Sequence, residues 1–243
     1  MTRFPSWNSA GVGRGGPLRY GSGMGHTTAQ TPALLSLPEA FERIAGLLEQ
    51  RASSGSRVIL GIVGCPGAGK STLAMRLLEH VGPERAAVAP MDGFHLAGTV
   101  LERCGLQDRK GAPETFDAEG YLSLLRRLRA RDEEVVYAPE FRREIEEPVA
   151  GALPIPRETS LVITEGNYLL LSDGAWSGVH DVLDEVWFVE PEEELRLERL
   201  VARHEEFGKS PEAARAWALG SDEANARLIR ASRGRADAVV RAG

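Results

Sequence analysis

Gly64, Gly69, Lys70 and Ser71 stand at the spacing G-x-x-x-x-G-K-S, directly after the apolar run Val58-Ile59-Leu60-Gly61-Ile62-Val63. A buried strand that feeds a glycine-rich turn brings backbone N–H groups onto phosphate oxygens, and an ammonium beside them neutralises the β- and γ-phosphates. Gly64, Cys65, Pro66, Gly67, Ala68, Gly69, Lys70, Ser71 and Thr72 are therefore the candidate triphosphate-binding residues. The Ser71 hydroxyl suits Mg2+. Lysine is scarce here: Lys70, Lys110 and Lys209 stand against 26 arginines. A compact ammonium fits a tight loop that a planar guanidinium fork would crowd, so Lys70 answers a geometric need.

Two carboxylates share the setting. Asp92 follows a short strand at 86–91, and Glu165 ends the β-branched run Leu161-Val162-Ile163-Thr164. In open parallel sheets ligands sit outside the carboxyl ends of the strands, which puts both acids beside the phosphate loop. Asp92 suits the base that takes a proton from an acceptor hydroxyl, with an Asx-turn before Gly93 as the other reading. Glu165 suits Mg2+, directly or through water, with a turn cap as the other reading. The polar stretch 105–116, centred on Arg109 and Lys110, reads as an acceptor-binding loop or an exposed connection. His95, Tyr137, Phe141 and Arg143 complete the candidate acceptor set. Arg196, Arg199 and Arg203 fall within about 60° of one another on one helix. That ridge suits a lid over the transferring phosphoryl group, or simply a solvated face. Cys65, near a helix start, has either a lowered thiol pKa or a filling role in the loop.

The elements that must position these groups alternate. Residues 1–33 are rich in Gly, Ser and Thr and read as a disordered tail. Ser36-Leu37-Pro38-Glu39 is a capping box that opens a helix with Phe41, Ile44, Leu47 and Leu48 inward. Helices follow at 72–81, from the Asp117 cap to about 131, and at 192–207, 211–219 and 223–230. Strands are expected at 58–63, 86–91, 134–137, 161–164, 185–189 and 238–240, with a loop or flap running to about 156. Strands alternating with helices imply an α/β fold: a mostly parallel sheet with helices on both faces. One domain spans 34–243, with a small helical lid at about 196–212.

Composition sets the class. Hydrophobic residues make up 42% and charged residues 26%, ordinary values for a globular protein. The formal net charge of -6 argues against a nucleic-acid partner. No stretch is long enough for a membrane span, and no signal segment opens the chain. Two cysteines make no disulfide framework, so a reducing, cytoplasmic setting is expected. A homo-oligomer stays open.

Taken together, Gly64–Ser71, Met91-Asp92-Gly93-Phe94-His95, Arg109-Lys110-Gly111, Thr164-Glu165-Gly166-Asn167-Tyr168 and the segment Arg199 to Lys209 resemble the P-loop kinases of the uridine kinase, phosphoribulokinase and type I pantothenate kinase family. The resemblance covers about 37–241 and is strongest to the nucleoside/nucleotide kinase-like, fructose-kinase-type branch. It implies a P-loop NTPase fold and ATP-dependent phosphorylation of a hydroxyl on a small metabolite: a nucleoside, a pantothenate-like alcohol or a sugar. By the same resemblance Asp92 is the base, Glu165 supports Mg2+, and Arg199 and Arg203 clamp the phosphates. The competing reading is a triphosphate hydrolase acting as a switch or energy-coupling ATPase. A GTPase is disfavoured, because no Asn-Lys-x-Asp guanine-reading motif occurs.

Overall fold

The computed structural model describes residues 31–53 and 55–242; the expected tail lies outside the described residues as far as residue 30. Eight strands and their helices follow in the order β1 (Ala33–Leu35), α1 (Leu37–Ala52), β2 (Val58–Val63), α2 (Lys70–Val81), β3 (Ala86–Pro90), α3 (Gly98–Cys104), α4 (Ala118–Ala130), β4 (Val135–Arg142), β5 (Glu147–Pro156), β6 (Leu161–Gly166), β7 (Glu185–Pro191), α5 (Glu193–Glu206), α6 (Pro211–Trp217), α7 (Glu223–Ala231) and β8 (Ala238–Ala242). Six of the strands form one parallel sheet in the order β1-β8-β7-β2-β6-β3.

Strand β2 lies between β7 and β6 and is buried along its whole length, as its unbroken apolar run requires when both faces are covered. Val58, Leu60 and Ile62 pack with Ile44 of α1 and Leu73 and Leu77 of α2. Ile59 and Val63 pack on the other face with Leu122, Leu125 and Leu128 of α4 and Ile229 of α7. The period-two alternation of β2 thus separates two cores, with helices on both faces as expected. No described helix is long and apolar enough to cross a membrane.

Register decides what meets at the sheet edge. Ile62 pairs with Glu165, and Pro90 pairs with the same Glu165 from the other side. The ends of β2, β6 and β3 are therefore level, so the loop starting at Gly64 and the turn carrying Asp92 flank Glu165.

Three differences from the sequence expectation have simple causes. Ala33–Leu35, assigned to the tail and its border, adds an edge strand to β8, because three apolar-compatible residues suffice when a partner edge is free. The strand at 134–137 and the flap after it form one antiparallel hairpin, β4–β5, outside the main sheet. Pro139, Pro148, Pro154 and Pro156 hid it, since proline is unexpected in a strand except at edges and bulges, and a bulge does fall between Ala138 and Glu140. Helix α6 passes through a π-turn at 218–222 into α7, so the two predicted helices run on as one bent rod. The capping box is present: Glu39 accepts from the Ser36 N–H at 2.7 Å and from its Oγ at 2.6 Å.

Beneath the sheet edge the Tyr121 hydroxyl of α4 meets Thr164 Oγ1 at 2.6 Å, and Thr164 Oγ1 donates to the Ala89 carbonyl at 2.7 Å. All three residues are buried, so the chain locks α4, β6 and β3 together under Asp92 and Glu165. Tyr121→Phe should cost about 1 kcal/mol and lower Tm by roughly 2–4 °C, read by calorimetry. An unchanged Tm would mean that the hydroxyl pair contributes nothing.

Candidate active site

The phosphate loop is shaped by what lies under it. Gly67 has φ +82°, and a Cβ there would meet the Arg196 carbonyl at 2.6 Å, so only glycine lets the loop pass over α5. Lys70 begins α2 and folds its side chain back, donating to the carbonyls of Gly64 at 3.0 Å and Cys65 at 3.4 Å. Burial pulls its pKa down, and the charges of Glu165 and Asp92 oppose that pull. Next to it, Ser71 Oγ donates to Glu165 Oε1 at 2.8 Å. Burial, then the charge of Asp92, raises the pKa of Glu165, against Lys70, Ser71 and Arg143.

Lys70, Ser71, Asp92 and Glu165 line one cavity of about 410 Å³ together with Pro66 of the loop. The same cavity is lined by His95, Lys110, Phe141, Arg143 and Arg203 from the candidate set. Its far wall is aromatic: the His95 ring lies 4.0 Å from Phe116 and 4.7 Å from Phe141 between centroids. The His95 Nδ1 donates to the Asp92 carbonyl at 2.8 Å, which leaves Nε2 as the acceptor of a neutral ring. Burial lowers its pKa. The hairpin reaches the site because Gly93 lies hard against the Pro139 carbonyl, where any Cβ would collide.

Some candidates lie elsewhere. Tyr137 is 56% exposed and is no part of the cavity wall, because strand alternation turns it away from Ala138. Arg109 is exposed and pairs with Glu114 at 2.7 Å, so of the Arg109–Lys110 pair only the lysine faces the cavity. Thr72 is exposed on α2. Cys65 is buried with Sγ 3.6 Å from the Ala226 carbonyl, and burial pushes its thiol up, so it fills the loop base and is not activated.

The arginine ridge divides. Arg196 is 1% exposed, donates to the Pro66 carbonyl at 3.0 Å and pairs with Glu193 at 2.6 Å and Glu223 at 2.9 Å. It fastens the phosphate loop from beneath. Arg199 is exposed, its Nη1 3.8 Å from where a Gly69 Cβ would stand, beside the loop but not in the cavity wall. Arg203 faces the cavity, and burial, then Arg143, lowers its pKa. Gln107 and Phe116 of the 105–116 stretch also line the cavity, and sequence reasoning missed Trp217, Asp222 and Asn225. Only the helical phase of Trp217, Asp222 and Asn225 could have hinted at them, and the π-turn shifts that phase.

The donor set fits the group the motif implies. Ser71 and Glu165 offer adjacent hard oxygens of the kind Mg2+ takes alongside substrate phosphates. Among the described residues no three His, Cys, Asp or Glu side chains gather into an all-protein cation cage.

No family model matches the chain. A Schizosaccharomyces pombe protein provisionally described as a uridine kinase is 33% identical over 181 residues, 71% of this chain and 75% of that protein. The chain belongs to the uridine kinase-like P-loop kinases. A solved Silicibacter structure, provisionally described as a fructose transport system kinase, superposes with TM-score 0.76 at 37% identity and covers 86% of this chain and 100% of that one. A pantothenate kinase of Enterococcus faecalis is 31% identical over 163 residues, 65% of this chain but 52% of that enzyme. As a member of these kinases the chain is a phosphotransferase, and its P-loop is the ATP-binding element.

Arg196 and Arg203, about two turns apart on α5, should fail differently. Arg196→Ala strands Glu223 and frees the loop, at a cost of about 3 kcal/mol or more in urea unfolding. Arg203→Ala removes a buried cation and should leave stability unchanged within about 0.5 kcal/mol while turnover falls. Equal losses of stability would show that the ridge is a single structural unit.

Proposed function

We propose that this kinase transfers the γ-phosphoryl group of ATP to a hydroxyl of a small metabolite, with Asp92 as the base. One observation carries the reading: the Asp92 carboxylate and the Lys70–Ser71–Glu165 group line one cavity that continues past them to an aromatic wall. A bare triphosphate hydrolase has no use for that second half.

Lys70 and the P-loop amides would hold the β- and γ-phosphates, and Arg203 would meet the charge that spreads over the transferring oxygens. Ser71 and Glu165 would hold Mg2+, which supplies charge neutralisation across the phosphates. Asp92 would accept the proton as the acceptor oxygen attacks in line. His95, Phe116 and Phe141 would exclude water and fix the body of the acceptor, so that positioning supplies most of the rate. The lid in this reading is the end of α5 with the turn into α6, where Arg203 and Lys209 reach the cavity, and Arg199 clamps from outside the wall.

Asp92→Asn should lower acceptor-dependent ADP release at least about 100-fold and leave ATP affinity within about threefold, measured by a coupled assay and calorimetry. The screen compares nucleosides, pantothenate, free sugars and sugar phosphates with Mg-ATP. ADP release indifferent to every alcohol would favour the hydrolase reading, and a wild-type rate in Asp92→Asn would remove the base.

A further inference from the structure

The cations that line the cavity differ in how their charge is met. Lys70, Lys110, Arg143, Arg203 and Lys209 are its cations. Lys110 is matched by Glu146 at 3.0 Å, and Asp222 is matched by His204 at 2.7 Å. Lys70, Asp92, Glu165 and Arg203 lie in one another's field and make up the donor half, and Arg143 lies near enough to act on Glu165 and Arg203. Arg143 and Lys209 have no carboxylate within ion-pair reach among the described residues.

Each of the two is held by a ring instead. The Arg143 guanidinium lies 5.5 Å from the centroid of Phe207, and Lys209 Nζ lies 4.8 Å from that of Trp217. An aromatic face orients a cation but does not neutralise it. The two also come from different elements: Arg143 from the β4–β5 turn, Lys209 from the turn between α5 and α6. Phe207, at the end of α5, therefore meets the hairpin's cation across the cavity mouth. Arg143 is exposed and Lys209 half-buried, so solvent meets both charges, and an anionic acceptor in the cavity would find two cations that no protein carboxylate neutralises.

We propose that the acceptor is a hydroxylated anion, whose carboxylate or phosphate ester is clamped by Arg143 and Lys209 while its hydroxyl faces Asp92. This rests on the alcohol-kinase reading above and narrows it: free sugars and uncharged nucleosides are poor substrates. Arg143 and Lys209 are specificity-determining residues.

The test uses the full chain in two arms. In the first, Mg-ATP turnover is measured with alcohols that differ only in charge: ribose against ribose 5-phosphate, glycerol against glycerate, fructose against fructose 6-phosphate. The anionic member of at least one pair should exceed its neutral partner about 100-fold in kcat/KM. Arg143→Gln and Lys209→Gln should each raise KM for that anion about tenfold and narrow its advantage over the neutral partner by a similar factor. In the second arm a non-hydrolysable ATP analogue and Mg2+ fill the donor half, and malonate or inorganic phosphate is titrated by calorimetry. Binding of one of them, lost in the Arg143→Gln/Lys209→Gln double variant, supports the clamp and separates a carboxylate ligand from a phosphate. Turnover equal or better with neutral alcohols overturns the proposal, as does anion binding that survives the double variant or is absent from the wild type. If no alcohol of either charge raises ADP release, the kinase reading fails by itself, and the calorimetric arm still decides the clamp.

Discussion

An ammonium partly withdrawn from water is costly, and at Lys70 two backbone carbonyls and the fields of two carboxylates offset that cost. That requirement fixes much else. The carbonyls of Gly64 and Cys65 must turn inward, which demands the left-handed bend at Gly67 and hence a loop lying flat on α5. The carboxylates must arrive from two other strands, which demands that β2, β6 and β3 end level. Burial first, and the neighbouring Asp92 second, raise the pKa of Glu165. The site is built for charge it does not itself contain, and phosphate and a divalent cation would complete it.

The arginines of α5 show how one helix serves the loop in two directions. Arg196 points beneath it and is consumed by Glu193, Glu223 and the Pro66 carbonyl. Arg203, two turns on, emerges at the cavity with no carboxylate of its own among the described residues. The difference is burial and partners rather than residue type: a guanidinium with its acceptors supplied is structural, and one left without them awaits a ligand. Arg57 is a further case of the first kind. Buried at the start of β2, it spends its donors on the carbonyls of Thr159, Leu128 and Pro156, and burial brings its pKa down to about 10.

Sequence carried the donor half of the site almost whole, because that half is encoded locally. A strand, a glycine loop and a helix start are contiguous, and Asp92 and Glu165 each end a readable apolar run. The acceptor half was legible only in pieces. Lys110, Phe141 and Arg143 were named, but Tyr137 was grouped with them although the pleat turns it away from the cavity. Trp217 and Asn225 come from segments that meet the rest only in three dimensions, and nothing in their spacing announces it. The hairpin itself was obscured by its prolines, since the rule that removes proline from strands applies to sheet interiors and not to a two-stranded flap. The ridge of Arg196, Arg199 and Arg203 was read correctly as one helical face and too simply as one purpose, because angular proximity says nothing about depth.

The hairpin's position outside the main sheet has an evolutionary corollary. Its base is packed into the main core through Val136, Ala138 and Ile155, and Pro139 passes close over Gly93, but its strands pair only with each other, so its length and tip can drift without disturbing the register of the main sheet. A lineage could therefore exchange one acceptor for another by rewriting the tip around Arg143 while its phosphate chemistry stayed untouched. On the proposed reading, kinship in the donor half foretells the reaction, and the sequence of a few hairpin residues foretells whose hydroxyl is served.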